Sequence, residues 1–157
     1  MSDPQVIADC KAVIAHLQSQ PSVQGDRIGI AGFCMGGRVS YLMATTSPDI
    51  KVAADFYGGG TLKGEDGPAP FEMTKSIRCP VIVIDGEEDA HPSPDEVRKV
   101  GAELARNGVV HEVHILPRVG HGFMAGTKSL DIIEQAWSLW LGWFDKHLVR
   151  EPVGAGR

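Results

Sequence analysis

Short runs of β-branched and aromatic residues alternate along this chain with longer segments of helical periodicity. Four of the runs fit buried strands, and the segments between them fit amphipathic helices. A repeated strand, helix, strand pattern closes into a parallel sheet that needs cover on both sides. We therefore expect an α/β fold with a mainly parallel sheet and helices on both faces. The predicted strands are 27–33, 52–57, 81–85 and 109–116.

Local signals mark where several helices begin and end. Ser2 or Asp3 can cap a first helix that carries Pro4 in its first turn. The sequence Ser93-Pro94-Asp95-Glu96 is a capping box and begins another helix, which we expect to end at Asn107 and Gly108. The final helix is predicted over about residues 130–148, and 61–77 reads as a long loop because it holds prolines and glycines without a clear period.

Length and composition limit the class of protein. The 157 residues predict one domain over 1–150 and a flexible tail over 151–157. A hydrophobic fraction of 43% is ordinary for a globular protein, and a net charge of −5 argues against a nucleic-acid partner. The sequence shows no apolar run long enough to cross a membrane and no secretory signal, so we expect no membrane partner and a cytoplasmic location. The three cysteines are expected to be reduced thiols.

The first predicted strand runs directly into Gly32-Phe33-Cys34-Met35-Gly36-Gly37. This is the pattern of a nucleophile elbow, with cysteine where serine is more usual. A sharp strand-to-helix turn would strain the central residue, and we expect glycine two positions to either side to prevent a clash. The Cys34 thiol would then lie at a helix N-terminus, and the Met35 amide would donate to an oxyanion. The alternative is a buried structural cysteine at a tight turn.

Two further strand ends carry an acid and a base. The third strand is followed by Gly86-Glu87-Glu88-Asp89, and the fourth by Gly120-His121-Gly122-Phe123. A triad on this architecture runs nucleophile, acid, histidine along the chain, which matches Cys34, Asp89 and His121. All three follow successive strands and should share one edge of the sheet. His121 would accept the thiol proton, and Asp89 would fix the tautomer of His121.

Other residues compete for these roles. Asp85 is an alternative acid but lies inside the predicted strand, and Glu87 and Glu88 are expected to be solvated. His111 and His114 would point to opposite faces of a strand, so we predict no metal site. The tryptophans are assigned to the packing face of the last helix: Trp137, Trp140 and Trp143.

With these motifs the chain resembles the dienelactone hydrolase family of the α/β-hydrolase superfamily. The resemblance implies Cys34 as nucleophile, Asp89 as acid, His121 as base and the Met35 amide as an oxyanion donor. It also implies hydrolysis of enol-lactones and related small esters without metal or cofactor. Phe33, which precedes the nucleophile, and Phe123, which follows the base, are candidate substrate contacts. These two phenylalanines are candidates because each lies within a motif that matches the family: Gly32-Phe33-Cys34-Met35-Gly36-Gly37 and Gly120-His121-Gly122-Phe123.

The resemblance also shows two departures. The family's fold begins with several strands before the helix at which this chain starts, so we expect the chain to lack about the N-terminal third. In the family that third supplies a second oxyanion amide and a glutamate that controls the thiol. Ala125 stands where dienelactone-specific members carry an arginine for the substrate carboxylate, which argues against muconate-type lactones as substrates.

Two functions of different classes follow from these patterns. The leading hypothesis is a hydrolase that cleaves small esters or lactones through a Cys34 thioester. The alternative is a truncated, non-catalytic or weakly active relative that acts as a binding or oligomerising domain. We expect a homo-oligomer in either case, because an uncovered sheet edge is rare in proteins. A redox role for Cys34 has less support than either function, because no second cysteine lies near it in sequence to act as a resolving partner.

Overall fold

The computed structural model describes residues 2–126 and 129–149. Within these ranges four strands form one parallel sheet, in the spatial order in which they occur along the chain. The strands are β1 (Ile28–Phe33), β2 (Ile50–Phe56), β3 (Val81–Gly86) and β4 (His111–Leu116). The helices are α1 (Asp3–Ser19), α2 (Met35–Thr46), α3 (Pro94–Arg106), α4 (Phe123–Gly126) and α5 (Leu130–Leu148), with a 3-10 helix at Pro70–Ser76. The tail predicted over 151–157 lies outside the described residues.

The predicted α/β architecture is confirmed. One face of the sheet packs against α1, α2 and α3, and the other face packs against α5. Alternate residues of β2 enter the two cores: Ala53 faces the first, whereas Val52 and Ala54 face the second. Burial on both faces explains why this strand is a nearly continuous apolar run in the sequence.

Some boundaries differ from the sequence prediction. Strand β2 begins at Ile50, two residues early, and β4 begins at His111, two residues late. Residues 61–77 were expected to form a loop without helix, but they contain the 3-10 helix. The Ala69 amide, at the start of this helix, donates a hydrogen bond to the Glu72 side chain at 2.8 Å. The short helix α4 was not predicted, because four residues are too few to show a helical period.

The start of α1 is held by an ion pair instead of a cap. Ser2 occupies the N-cap position without a side-chain cap hydrogen bond, so the predicted capping role is wrong for this residue. Asp3 instead accepts two hydrogen bonds from Arg38 in α2, at 2.6 and 2.8 Å. The same guanidinium donates to the carbonyls of Gly60 and Lys63 at 3.1 and 3.0 Å. This buried network therefore ties α1 and α2 to the loop that follows β2.

The carboxyl ends of the strands meet at one edge of the sheet. Phe33 at the end of β1 pairs with Phe56, and Phe56 pairs with Ile84. Gly86 pairs with Leu116 at the ends of β3 and β4. The loops that follow the strands consequently lie side by side, as the sequence analysis expected. Among the helices of the described ranges, none has the length and apolarity needed to span a bilayer.

Candidate active site

Cys34 lies in a strained turn between β1 and α2. Its φ of 55° and ψ of −121° lie outside the regions that L-residues favour. The Cys34 amide donates to the Phe56 carbonyl at 3.0 Å, which anchors the turn to β2. A Cβ on Gly32 would lie 2.0 Å from the Gly36 carbonyl oxygen, so only glycine fits there. The strand-to-helix elbow predicted from the sequence is therefore present.

The glycine requirement differs on the helix side of the turn. A Cβ on Gly36 would meet nothing within 4 Å, so the expectation that this glycine prevents a clash is wrong. The crowded position is Gly37, where a Cβ would lie 2.4 Å from Asp55 Oδ1 and 2.6 Å from the Phe56 carbonyl oxygen. Close packing of α2 on β2, and not the turn itself, explains why the motif has a glycine at position 37.

Met35 is the first residue of α2. Amides in the first turn of a helix have no partner within the helix, and the Met35 amide is one of them. The Met35 side chain is 67% exposed and takes no part in the core.

His121 and Asp89 are hydrogen-bonded in the loops that follow β4 and β3. His121 Nδ1 lies 2.9 Å from Asp89 Oδ2, and the His91 amide donates to Asp89 Oδ1 at 2.8 Å. The Glu88 amide donates to the Val119 carbonyl at 2.9 Å, which joins the two loops. A carboxylate can only accept a hydrogen bond, so His121 Nδ1 is the donor in this contact and Nε2 takes no part in it.

The competing acids occupy other environments. Glu87 and Glu88 are exposed, as predicted. Asp85 lies within β3 and is completely buried. Asp89 is the carboxyl that the loop brings to His121, and its side chain is only 1% exposed.

Tyr57 joins the site although the sequence analysis missed it. It follows β2 directly, has a φ of 41° and is 2% exposed. Its ring centroid lies 5.2 Å from that of His121 and 5.2 Å from that of Phe123. Burial, together with the neighbouring Cys34, raises the pKa of Tyr57 to about 12. Tyr57 therefore borders both Cys34 and His121, and its place at a strand end was the signal available in the sequence.

Aromatic side chains continue from Cys34 across the sheet to α5. Phe33 is 37% exposed, and its ring centroid lies 4.7 Å from that of Phe56 and 5.9 Å from that of Trp140. Trp137 stacks on Trp140 at 4.9 Å and is 41% exposed, so the tryptophans of α5 are not all packed inward. Phe123 is buried beneath Tyr57.

One known protein family matches nearly the whole chain. The family model described as the dienelactone hydrolase family matches residues 1–148. The chain belongs to the dienelactone hydrolase family. Within the described residues, no group of three or more His, Cys, Asp or Glu side chains could hold a metal ion.

Relatives in the dienelactone hydrolase family are found among both sequences and structures. A Synechocystis protein named as a carboxymethylenebutenolidase is 30% identical over 141 residues, which are 88% of this chain and 57% of that protein. A crystal structure named as a dienelactone hydrolase of Klebsiella pneumoniae is 27% identical, with a TM-score of 0.82 over 93% of this chain and 62% of its own. A puromycin-hydrolysing peptidase of Mycobacterium tuberculosis, 19% identical with a TM-score of 0.81 over 95% of this chain and 26% of its own, shares the fold alone. The chain thus spans a little more than half the length of the curated family member it matches.

Proposed function

We propose that this chain carries the catalytic core of a hydrolase that cleaves small esters or lactones, with Cys34 as nucleophile, Asp89 as acid and His121 as base. The observation that carries this proposal is the hydrogen bond between His121 and the buried Asp89, at the sheet edge where the elbow presents Cys34. Family relatives named carboxymethylenebutenolidases support lactones and small esters as the substrate class.

In the first half-reaction the Cys34 thiol transfers its proton to His121 Nε2, and the thiolate attacks the substrate carbonyl carbon. The carbonyl oxygen becomes an oxyanion, and the Met35 amide donates a hydrogen bond to it. Collapse of the tetrahedral intermediate breaks the bond between the acyl carbon and the leaving oxygen. His121 Nε2 gives its proton to that oxygen, and an alcohol or the opened lactone results. Asp89 stabilises the imidazolium that exists between these two proton transfers.

In the second half-reaction water hydrolyses the thioester. His121 Nε2 accepts a proton from the water as its oxygen attacks the acyl carbon. The Cys34 sulfur leaves as a thiolate and regains the proton from His121, so the site returns to its starting state. Every proton that leaves the thiol or the water is thereby carried by one histidine nitrogen.

Substrate contacts are proposed from the side chains around Cys34. Phe33 offers an exposed aromatic surface directly beside the nucleophile, suited to the apolar part of a small ester. Phe123 is 3% exposed, so we propose that it shapes the site from below by supporting Tyr57. Ala125 is exposed in α4 and brings no positive charge for a substrate carboxylate. Neutral esters and lactones therefore fit the site best.

A second function, assembly, is favoured by the uncovered edge of the sheet. In the described residues β1 pairs only with β2, so its other side presents free backbone groups. Val13 in α1 and Leu141 in α5 are 59% and 56% exposed on the two helices that flank this edge. We propose that a second copy of the chain covers this surface and that the protein is a homo-oligomer. Cys10, Cys34 and Cys79 are free thiols, which suits the proposed cytoplasmic location.

The proposal is tested by the reaction of the pure chain with an aryl acetate such as 4-nitrophenyl acetate. The wild type should release about one equivalent of nitrophenol in a burst as the thioester forms, and mass spectrometry of a digest should locate the acetyl group on Cys34. Cys34→Ala should abolish the burst, whereas the matched control Cys10→Ala should keep it. A burst that survives Cys34→Ala would overturn the assignment of the nucleophile.

A further inference from the structure

Glycine residues flank His121 on both sides. They are Gly120 and Gly122, and Gly122 has a φ of 73°, which glycine adopts without strain. The hydrogen bond to Asp89 fixes one atom of the imidazole, Nδ1, and leaves the ring free to rotate about that contact. The core does not enclose this side chain, which is 44% exposed. A second contact is therefore needed to set the plane of the ring and the direction of Nε2.

The ring of Tyr57 makes a contact of this kind with His121. The two ring centroids are 5.2 Å apart, and the ring planes meet at 64°. Aromatic pairs at about 4.5 to 7 Å favour such an edge-to-face arrangement. The same phenol ring lies 5.2 Å from the ring of Phe123, at 66°. Because Phe123 follows His121 by two residues, Tyr57 contacts both rings of one short segment.

Tyr57 departs from the side-chain pattern of the strand that precedes it. Side chains alternate along β2, and Val52, Ala54 and Phe56 all lie in the core beneath α5. A regular strand would direct Tyr57 to the opposite face, yet it lies in the same core as Phe56. Its φ of 41° is rare for an aromatic residue and costs about 1–3 kcal/mol. This strained backbone therefore turns the Tyr57 ring toward the loop that carries His121.

The surroundings of Tyr57 hold it in this conformation. The Tyr57 amide donates to the Ile84 carbonyl of β3 at 3.0 Å, and the Gly59 amide donates to the Tyr57 carbonyl at 3.0 Å. Tyr57 is only 2% exposed. Because burial raises its pKa, the Tyr57 hydroxyl keeps its proton near neutral pH. Tyr57 consequently presents a fixed and uncharged ring to His121.

We propose that Tyr57 is a positioning residue for His121, whose aromatic ring sets the plane of the imidazole while Asp89 holds Nδ1. This inference rests on the proposed function, in which His121 is the base. With two contacts in different directions, the imidazole cannot turn about its hydrogen bond, and Nε2 keeps one direction through both half-reactions. Backbone strain persists where the surrounding structure enforces it, and it is concentrated at functional sites. The role belongs to the Tyr57 ring and not to its hydroxyl.

The ring contact is tested by NMR at a single pH, which needs no catalytic turnover. The chain has two tyrosines, so Tyr41→Leu leaves only the ring signals of Tyr57. The His121 signals are those that disappear in His121→Gln. Nuclear Overhauser cross-peaks between the two rings are expected in the wild type and in Tyr57→Phe, which keeps the ring. Their absence from the wild type would overturn the proposal.

Burst kinetics with 4-nitrophenyl acetate then separate positioning from substrate binding. Tyr57→Leu removes the ring and should lower the maximal burst rate by about 10-fold to 100-fold, because small misplacements of a catalytic group are costly. The ester concentration that gives half of this rate should stay unchanged. Tyr57→Phe should keep the wild-type rate, since only the hydroxyl is lost. A higher half-saturating concentration at an unchanged maximal rate would make Tyr57 a substrate contact and would contradict the positioning role.

Tyr41→Leu is the matched control for lost packing. Tyr41 is also fully buried, but it lies in the core on the other face of the sheet, where its hydroxyl is 2.7 Å from Thr74 Oγ1. The same substitution should lower the stability and leave the burst rate at the wild-type value. If Tyr41→Leu slows the burst as much as Tyr57→Leu, lost packing explains both effects and the proposal is wrong.

The two measurements also separate this inference from the proposed function. An absent burst in the wild type would overturn the proposed hydrolase, and the NMR cross-peaks would then decide whether Tyr57 holds His121. Circular dichroism checks that each variant is folded. If Tyr57→Leu does not fold, the cross-peaks and the rate of Tyr57→Phe decide instead, and a burst in Tyr57→Phe slowed by tenfold or more would assign the role to the hydroxyl and contradict the proposal.

Discussion

Asp89 is almost fully buried, yet it hydrogen-bonds to His121, whose side chain is 44% exposed. The 2.9 Å contact thus joins a carboxylate fixed in the protein to an imidazole at the surface. A buried acid held by the His91 amide cannot turn away from the ring, whereas the open side of the ring remains accessible to a substrate. This combination suits the role of base proposed for His121, which must keep one tautomer while it exchanges protons with a ligand.

Replacement of Asp89 tests this relationship. Asp89→Asn keeps the shape but offers an N–H group to His121, which favours the wrong tautomer and cannot stabilise an imidazolium. We expect the acylation rate of Cys34 to fall by about 10²- to 10⁴-fold, in line with the range seen for triad acids. Stopped-flow measurement of the nitrophenol burst gives this rate. Asp66→Asn is the matched control, because Asp66 is exposed in a left-handed backbone conformation that asparagine tolerates. A rate within threefold of the wild type for Asp89→Asn would contradict the assigned acid.

The three thiols should differ in reactivity. Burial raises the pKa of Cys79 to about 11, and burial also raises the pKa of Cys10, so both are poor nucleophiles near neutral pH. Cys34 lies in the strained turn at the N-cap position of α2, and it is only partly buried. Limited treatment with iodoacetamide at about pH 7, followed by peptide mass spectrometry, should therefore find Cys34 modified first. Equal modification of the three cysteines, or protection of Cys34, would count against an exposed nucleophile in the elbow.

The two glycines beside Cys34 offer a matched pair of substitutions. Gly32→Ala places a Cβ against the Gly36 carbonyl at 2.0 Å, so the elbow must distort. Gly36→Ala places a Cβ in open space within a helix, where alanine is favoured over glycine by about 1 kcal/mol. We expect Gly32→Ala to lose the burst and about 2 kcal/mol or more of unfolding free energy, and Gly36→Ala to match or exceed the wild-type stability. Urea denaturation of both variants checks this order, and the reverse order would show that the turn is built differently.

The sequence predicted those features that depend on residues close to one another along the chain. The strands followed from runs of β-branched residues, and Cys34, Asp89 and His121 followed from motifs at strand ends. The contact between Tyr57 and His121 was missed, because it depends on how β2, β3 and β4 are aligned. The same reason explains why the sequence predicted a cap from Ser2 or Asp3 and missed the ion pair, since the Arg38 partner of Asp3 lies 35 residues away along the chain.

Asp55 makes the stability of the fold depend on pH. Burial raises the pKa of Asp55 to about 7, whereas the unfolded value is about 3.9. Well below pH 4 the Asp55 carboxyl is neutral in both states, so it does not lower the free energy of unfolding there. As the pH rises toward 7, the unfolded chain releases this proton while the folded chain retains it, and the free energy of unfolding falls. Asp85, whose pKa is also raised, acts in the same direction.

Asp55→Asn isolates this effect, because an amide does not titrate. The wild type should lose on the order of 2 kcal/mol relative to Asp55→Asn between about pH 5 and pH 7. Urea denaturation at the two pH values measures the difference, and Asp66→Asn, an exposed site, should show none of it. Parallel pH dependence in the wild type and Asp55→Asn would mean that Asp55 is ionised in the folded state.

The uncovered β1 edge should govern self-association. Val13 in α1 is 59% exposed beside this edge, and it adjoins an apolar groove of about 260 Å³ between α1 and β1 that includes Leu17, Ile28 and Ile30. If a second copy covers this groove, Val13→Glu places a charge inside the interface and should weaken association by about tenfold or more.

Val110→Glu is the matched control, because Val110 is 57% exposed but precedes β4 at the opposite side of the sheet. Light scattering over a range of protein concentrations should therefore show an oligomer for the wild type and Val110→Glu, and a shift toward monomer for Val13→Glu. A wild type that remains monomeric at the highest concentration, without binding a hydrophobic dye, would show that no second copy occupies this edge.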